Sequence, residues 1–212
     1  MDKTERALQK IIESLQIFRS PIHLFLYKTC SERDIIELDI ERWLEITGYK
    51  SASSRWRGLV HLLSKYPEFR NLFYYRIKKV DRGILRRVVL ETAKLLFQPR
   101  ETLRIHSSSI GPGLFIQHGT CTGIAAHSIG KNCWINQNVN IGYSNDNDYP
   151  TIGDNVAIKA GAKVFGEIHI GNNSIIGANA VVLKNVPENC TVVGIPAYIV
   201  KRDGKKTKEP LV

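Results

Sequence analysis

The chain has 212 residues, 43% hydrophobic and 24% charged, which is ordinary globular usage and long enough for a core without disulfide or metal staples. No stretch approaches the uninterrupted apolar length of a membrane span, and the opening MDKTERALQKIIES lacks the basic-then-apolar order of a secretory signal. A soluble, cytoplasmic protein is expected. Cys30, Cys121, Cys133 and Cys190 are too scattered for a paired-thiolate metal spacing or a disulfide framework, so reduced, structural cysteines are expected. Neither a metal nor a permanently bound cofactor is expected.

The net charge of +10 is unevenly placed: residues 50–104 hold 14 of the 30 basic residues and 4 of the 20 acidic ones. Glycine divides the chain differently, since of 16 glycines only Gly48, Gly58 and Gly83 precede residue 105. Three parts follow: a helical domain over 1–104, a second domain of unlike construction over 105–200, and a basic tail over 201–212.

In the first part apolar residues recur at three and four, as in Leu8, Ile11, Ile12, Leu15, then Ile35, Ile36, Leu38, Ile40, Trp43, Leu44, and later Leu85, Val88, Val89, Ala93, Leu96. Pro21 and Pro67 stand where proline opens a helix, and Gly48 with Ser51 to Ser54 supplies a break, so four or five helices are expected. The basic stretch from Arg70 to Arg87 interleaves aromatics with cations. A solvated helix face over a Phe/Tyr core is its simplest account. A weak contact with an anionic membrane through residues 70–87 is the alternative, and nucleic acid is not expected.

From residue 129 an aliphatic residue returns every sixth position: Ile129, Ile135, Ile141, then Ile152, Ile158, Val164, Ile170, Ile176, Val182, with Ile110 and Ile116 keeping the step earlier. A period of six is neither helical nor that of a long strand. It fits a solenoid of triangular section in which each anchor points to the axis and the small residues after it make the corners.

These Ile-Gly-x4 repeats, the run IKAGAKVFGEIHIGNNSIIGANAVVLKNVP and the closing VGIPAYIV resemble the hexapeptide-repeat acyltransferases, most closely their serine acetyltransferase branch, over roughly residues 105–201. The resemblance implies a fold that is mainly β plus α, with a C-terminal left-handed parallel β-helix behind an N-terminal all-helical domain. It also implies a homotrimer, acetyl-CoA as co-substrate in the groove between neighbouring prisms, and O-acetyl transfer with a histidine base. Two trimers joined through the helical domain are a further possibility.

The repeat breaks twice, and function collects on such breaks. Ile116 to Ile129 is thirteen residues rather than twelve and contains Gln117-His118-Gly119-Thr120, while Ile141 to Ile152 is eleven and contains the polar run from Tyr143 to Pro150. Counting the extra residue stacks His118 against Gln137 of the next coil, with Asn138 beside it. A hydroxyl acceptor needs a base of near-neutral pKa, which histidine supplies, and turn amides near Gly119 or Gly142 for the oxyanion.

His118 in QHGT aligns with the family's catalytic histidine, and Gln137 or Asn138 is the candidate to orient it. Gly142, Ala160, Gly161 and Ala178 resemble the floor of the family's CoA groove, with Lys184, Lys201 and Arg202 as cations for its phosphates. The serine site of the family has carboxylates where this chain has Arg104 and Gln117, and an Arg-His pair where it has Asp148-Tyr149. With Gln117, Asp148 and Tyr149 facing the acceptor, and Asn136, Gln137, Asn138, Asn145 and Asn147 nearby, a neutral acceptor is expected: a sugar hydroxyl in a bacterial surface polysaccharide. Serine O-acetyltransfer is the alternative. A zinc-dependent carbonic anhydrase would want three converging histidines, and His118 with His127 gives two.

Overall fold

A computed structural model describes residues 18–49, 55–80, 83–145 and 148–211. The chain divides into two compact units, Met1–Pro99 and Arg100–Val212.

Five helices are present among the described residues of the first unit: α1 Pro21–Lys28, α2 Arg33–Thr47, α3 Arg55–Lys65, α4 Pro67–Val80 and α5 Ile84–Leu96. Pro21 and Pro67 each open a helix, where the missing N–H costs nothing. Gly48 ends α2 at φ 68, the left-handed conformation that favours glycine. The expected cluster from Ser51 to Ser54 and the periodic positions from Leu8 to Leu15 lie outside the described residues.

Ile36, Ile40 and Trp43 of α2, Leu59 and Leu63 of α3, and Phe69, Leu72 and Phe73 of α4 form the core. The Trp43 and Phe69 rings meet edge to face at 5.3 Å. Arg76 is 1% exposed and binds Asp39 through both Nε (2.9 Å) and Nη2 (3.3 Å), so this charge is buried only because its counter-ion is buried with it.

Three cations of the basic stretch are spent inside this unit. Arg70 donates to the carbonyls of Leu63, Ser64 and Gln98, Arg76 to Asp39, and Arg86 to the carbonyls of Leu26 and Thr29. Lys78, Lys79 and Arg87 remain exposed. Of the periodic apolar positions in α5, Ala93 is buried, together with Leu90, whereas Leu85 and Val88 are 79% and 57% exposed. No described helix is long and apolar enough to cross a membrane.

The second unit is a parallel β-helix of three sheets, so the overall class is the expected one. One sheet stacks Leu103–Ile105, Thr122–Ile124, Asn140–Gly142, Lys163–Phe165 and Val181–Val182. A second stacks Ser109–Ile110, Ser128–Ile129, Thr151–Ile152 and His169–Ile170. The third stacks Phe115–Ile116, Trp134–Ile135, Ala157–Ile158, Ile175–Ile176 and Cys190–Val193.

All the aliphatic anchors from Ile110 to Val182 are buried and register directly, as in Ile116 on Ile135, Ile135 on Ile158 and Ile158 on Ile176. Residues 201–210, expected as a tail, instead complete an antiparallel end cap: Tyr198–Arg202 pairs with Cys190–Val193 on one side and with Lys205–Pro210 on the other.

His23 gives the first unit a pH dependence. It is fully buried, with Nε2 2.9 Å from the Tyr74 hydroxyl, and burial pushes its pKa down from 6.5 to about 4. The folded form therefore holds a neutral imidazole while the unfolded chain takes up a proton first. Stability is full above pH 6.5, falls as the pH drops toward 4, and loses up to about 3 kcal/mol from this group. Denaturant unfolding between pH 4 and 7.5 should show that slope in the wild type, and His23→Gln, which keeps a polar partner for Tyr74, should flatten it.

Candidate active site

The corner after the third sheet carries most of the candidate residues. In three successive coils the anchor is followed by corner residues Asn136-Gln137-Asn138, Lys159-Ala160-Gly161 and Gly177-Ala178-Asn179. The third of each is left-handed, at φ 58, 76 and 58. Asparagine and glycine are the residue types that adopt this conformation readily, so the backbone itself selects them here. A Cβ on Gly161 would also lie 2.0 Å from Asn179 Oδ1. The corners are tied to one another by the backbone: Gly161 N donates to Gln137 O (3.0 Å) and Asn179 N to Ala160 O (2.9 Å).

The first coil breaks this pattern. Asn138 N donates to Thr120 O (2.9 Å), and Cys121 is the left-handed residue at φ 51. Thr120 thus occupies the place that Gln137 fills one coil later, and His118-Gly119 is a two-residue insertion. Ile116 to Ile124 takes eight residues and Ile124 to Ile129 only five, so the single extra residue visible in the sequence is two added at one corner and one removed at the next. The expected stacking of His118 on Gln137 is corrected accordingly. His118 is exposed at φ 59, carried out of the coil, with Thr120 N turned back onto its carbonyl.

Gln117 enters the insertion. Its N donates to Ile135 O (2.8 Å), and its Oε1 accepts from both Trp134 Nε1 (3.2 Å) and Asn136 Nδ2 (3.0 Å). Counting nineteen residues from Phe115 and Gln117 would have found both donors, but only Asn136 was singled out. At the same corner Asn136 Oδ1 and Gln137 Oε1 are buried without a hydrogen-bond partner. Asn138 is accounted for by its left-handed backbone, and its carbonyl accepts from Lys163 Nζ at 2.7 Å.

Gln137, Ala160 and Ala178 stack along the corner, so the side chain shortens after the first of them. Of the three cations expected for phosphates, Arg202 is paired with Glu209 (2.6 Å), Lys184 donates to Leu211 O (3.3 Å), and Lys201 is exposed. Among the described residues no group of three His, Cys, Asp or Glu is arranged to hold a metal ion.

Gly142 ends its strand in the coil, its carbonyl accepting from Gly166 N at 3.2 Å, and the second break loops out after it. Tyr143 and Tyr149 meet edge to face at 5.2 Å across the base of the loop. Asp148 faces inward on the loop: Oδ1 accepts from Ser144 N (2.8 Å) and Asn145 N (2.9 Å), and Oδ2 from Ser144 Oγ (2.5 Å). The Ser144 hydroxyl foremost, with these amides, holds its carboxyl below the ordinary carboxylate range.

The family model for bacterial transferase hexapeptide (six repeats) matches residues 149–184. A serine acetyltransferase of Synechococcus elongatus is 36% identical over 164 residues, 73% of this chain and 65% of that protein. The chain thus spans less than two thirds of that relative's own length. Among solved structures, a serine acetyltransferase of Neisseria gonorrhoeae in complex with serine is 26% identical with a TM-score of 0.62, covering 85% of this chain and 73% of that one. A serine acetyltransferase in complex with CoA is 27% identical with a TM-score of 0.62, covering 84% and 74%.

These relatives overturn the polysaccharide sugar expected as acceptor, since they are serine acetyltransferases. The geometry gives the physical reason for the misreading. Asn138 is a corner residue required by its backbone, Asn136 is committed to Gln117, and Asn145 and Asp148 close their own loop. Asn147 lies outside the described residues. The amide-rich composition is thus spent largely on turns.

Asp148 should therefore act as the clasp of its loop. Asp148→Ala should speed hydrogen exchange of the Ser144 and Asn145 amides on the order of tenfold, with the amides of the coil ladder unaffected. NMR exchange rates check this, and lowering the pH should reproduce it only below the usual carboxylate range.

Proposed function

We propose that this chain, a hexapeptide-repeat protein close to the serine acetyltransferase branch, transfers the acetyl group of acetyl-CoA to the hydroxyl of serine, with His118 as base. The observation that carries the reading is the insertion of His118-Gly119 at one corner of an otherwise regular prism. A solenoid gains no aliphatic anchor from an inserted histidine and glycine with the histidine exposed, so we read the insertion as serving what binds there.

In the proposed reaction the His118 imidazole takes the proton of the serine hydroxyl as its oxygen attacks the thioester carbonyl. The tetrahedral intermediate collapses with cleavage of the carbon–sulfur bond, and the imidazolium returns its proton to the departing CoA thiolate. The products are O-acetylserine and CoA. The insertion carries His118 out of the coil and out of register with the buried Gln137 Oε1, so the expected orienting role of Gln137 is not part of the proposal. Gly119, within the insertion, offers the nearest turn amide for the oxyanion, because the Gly142 backbone is engaged in the ladder with Phe165.

For the donor, we place the pantetheine arm along Ala160 and Ala178, whose small side chains leave room at the corner, with Lys201 free to meet a phosphate. A second prism closing this groove would make the working unit a homotrimer. The complex of a related structure with CoA supports the donor.

Release of CoA thiol from acetyl-CoA in the presence of serine tests the activity directly. His118→Ala should lose on the order of 10² to 10⁴ in kcat while acetyl-CoA binding measured by calorimetry persists. Wild-type protein that leaves serine unacetylated would overturn the choice of acceptor. Full activity in His118→Ala would overturn the mechanism.

A further inference from the structure

We infer that Trp134 and Asn136 are positioning residues for His118 and act on it through the side chain of Gln117. The inference rests on the reading of His118 as the base.

His118 holds a left-handed backbone at φ 59 without being glycine, which costs roughly 1–2 kcal/mol, so its surroundings must impose that conformation. The exit of the insertion is fixed by the coil: Asn138 N binds Thr120 O, and the buried Thr122 donates through Oγ1 toward Thr120 O (3.2 Å) and Asn136 O (3.4 Å). The entry is fixed by Gln117, whose one side-chain oxygen receives two donors from the next coil, Trp134 Nε1 at 3.2 Å and Asn136 Nδ2 at 3.0 Å. Trp134 is itself held, edge to face with Phe115 at 4.7 Å and with Lys159 Nζ 5.6 Å from its ring centre. The residue immediately before the base is thereby anchored by side chains drawn from three coils.

Two features separate positioning from simple support of the prism. First, the ladder is already complete in backbone bonds here, Gln117 N to Ile135 O and Asn136 N to Ile158 O, and the first corner residues of the later coils, Lys159 and Gly177, have no comparable arrangement. Asparagine side chains pair coil to coil elsewhere in the prism without an insertion, as in Asn155 with Asn173, but at this corner the side-chain network occurs only on the coil that carries one. Second, Asn136 leaves its own Oδ1 buried and unpartnered, at a cost of about 1–3 kcal/mol. An aliphatic residue would fill the same place without that cost. What Asn136 adds is the Nδ2 donor that Gln117 receives.

Trp134→Phe removes the indole N–H while keeping an aromatic ring against Phe115. It should lower kcat for serine acetylation by about 10- to 100-fold, leave the KM for acetyl-CoA within about twofold, and leave the thermal midpoint nearly unchanged. Because Trp134 acts through Gln117, the double variant Trp134→Phe/Gln117→Ala should lose no more than Gln117→Ala alone. The second readout is the His118 side-chain NMR signal, assigned by its absence in His118→Ala: Trp134→Phe should move or broaden it, leaving the other five histidines in place. Wild-type kcat together with an unmoved His118 signal in Trp134→Phe would overturn the inference, as would losses that multiply in the double variant. If the wild type leaves serine unacetylated, the acceptor reading fails on its own, and the His118 signal still decides whether Trp134 positions the imidazole.

Discussion

The second unit depends on one constraint: an aliphatic side chain must return to the axis at every sixth residue, so that each coil lays its backbone on the one before. Ile135, Ile158 and Ile176 are at most 1% exposed and register one on another, and each contributes on the order of 1.5–3 kcal/mol by leaving water. The same stacking satisfies backbone groups coil to coil, as in Trp134 N to Val156 O and Ala157 N to Ser174 O. A residue added inside a strand would shift every later anchor off the axis. Chain length can change only at the corners.

The site follows from that restriction. The prism offers three corners per coil, and two of them have been lengthened, one by His118-Gly119 and one by the loop after Gly142. Neither is left slack. Gln117 and Thr122 bracket the first, while Asp148 ties the second back to Ser144 and Asn145. A reactive group on a loop is useful only when its geometry is held, and here side chains provide what the ladder cannot.

The six-residue period made the solenoid legible in the sequence because the inward position tolerates so few residue types. The break at QHGT was legible as well, but its shape was not. Two residues added before Ile124 and one removed before Ile129 leave a net excess of one, and spacing between distant anchors cannot separate the two changes. In the helical part, periodicity marked Leu85 and Val88 as apolar without revealing that α5 turns Leu90 and Ala93 inward. Nor could charge density reveal that Arg70, Arg76 and Arg86 are consumed by carbonyls and Asp39, since those partners are distant in sequence.

The mistaken acceptor has a more general cause. At the His118 corner the third residue of each coil is chosen by backbone conformation, so Asn138, Gly161 and Asn179 carry no information about a ligand. The first and second residues are under no such demand, and their identities are the ones open to selection by what binds. In the first position Gln117 and Asn136 build a network that gives way to Lys159 and then Gly177. In the second, Gln137 gives way to Ala160 and Ala178. In the second position a polar group therefore stands at the His118 end and small apolar ones continue beyond it, the order that the hydroxyl acceptor and extended acyl carrier proposed above would need. Counting amides across the whole corner mixes residues fixed by φ with residues fixed by chemistry, whereas sorting them by position leaves a gradient that points along the coil.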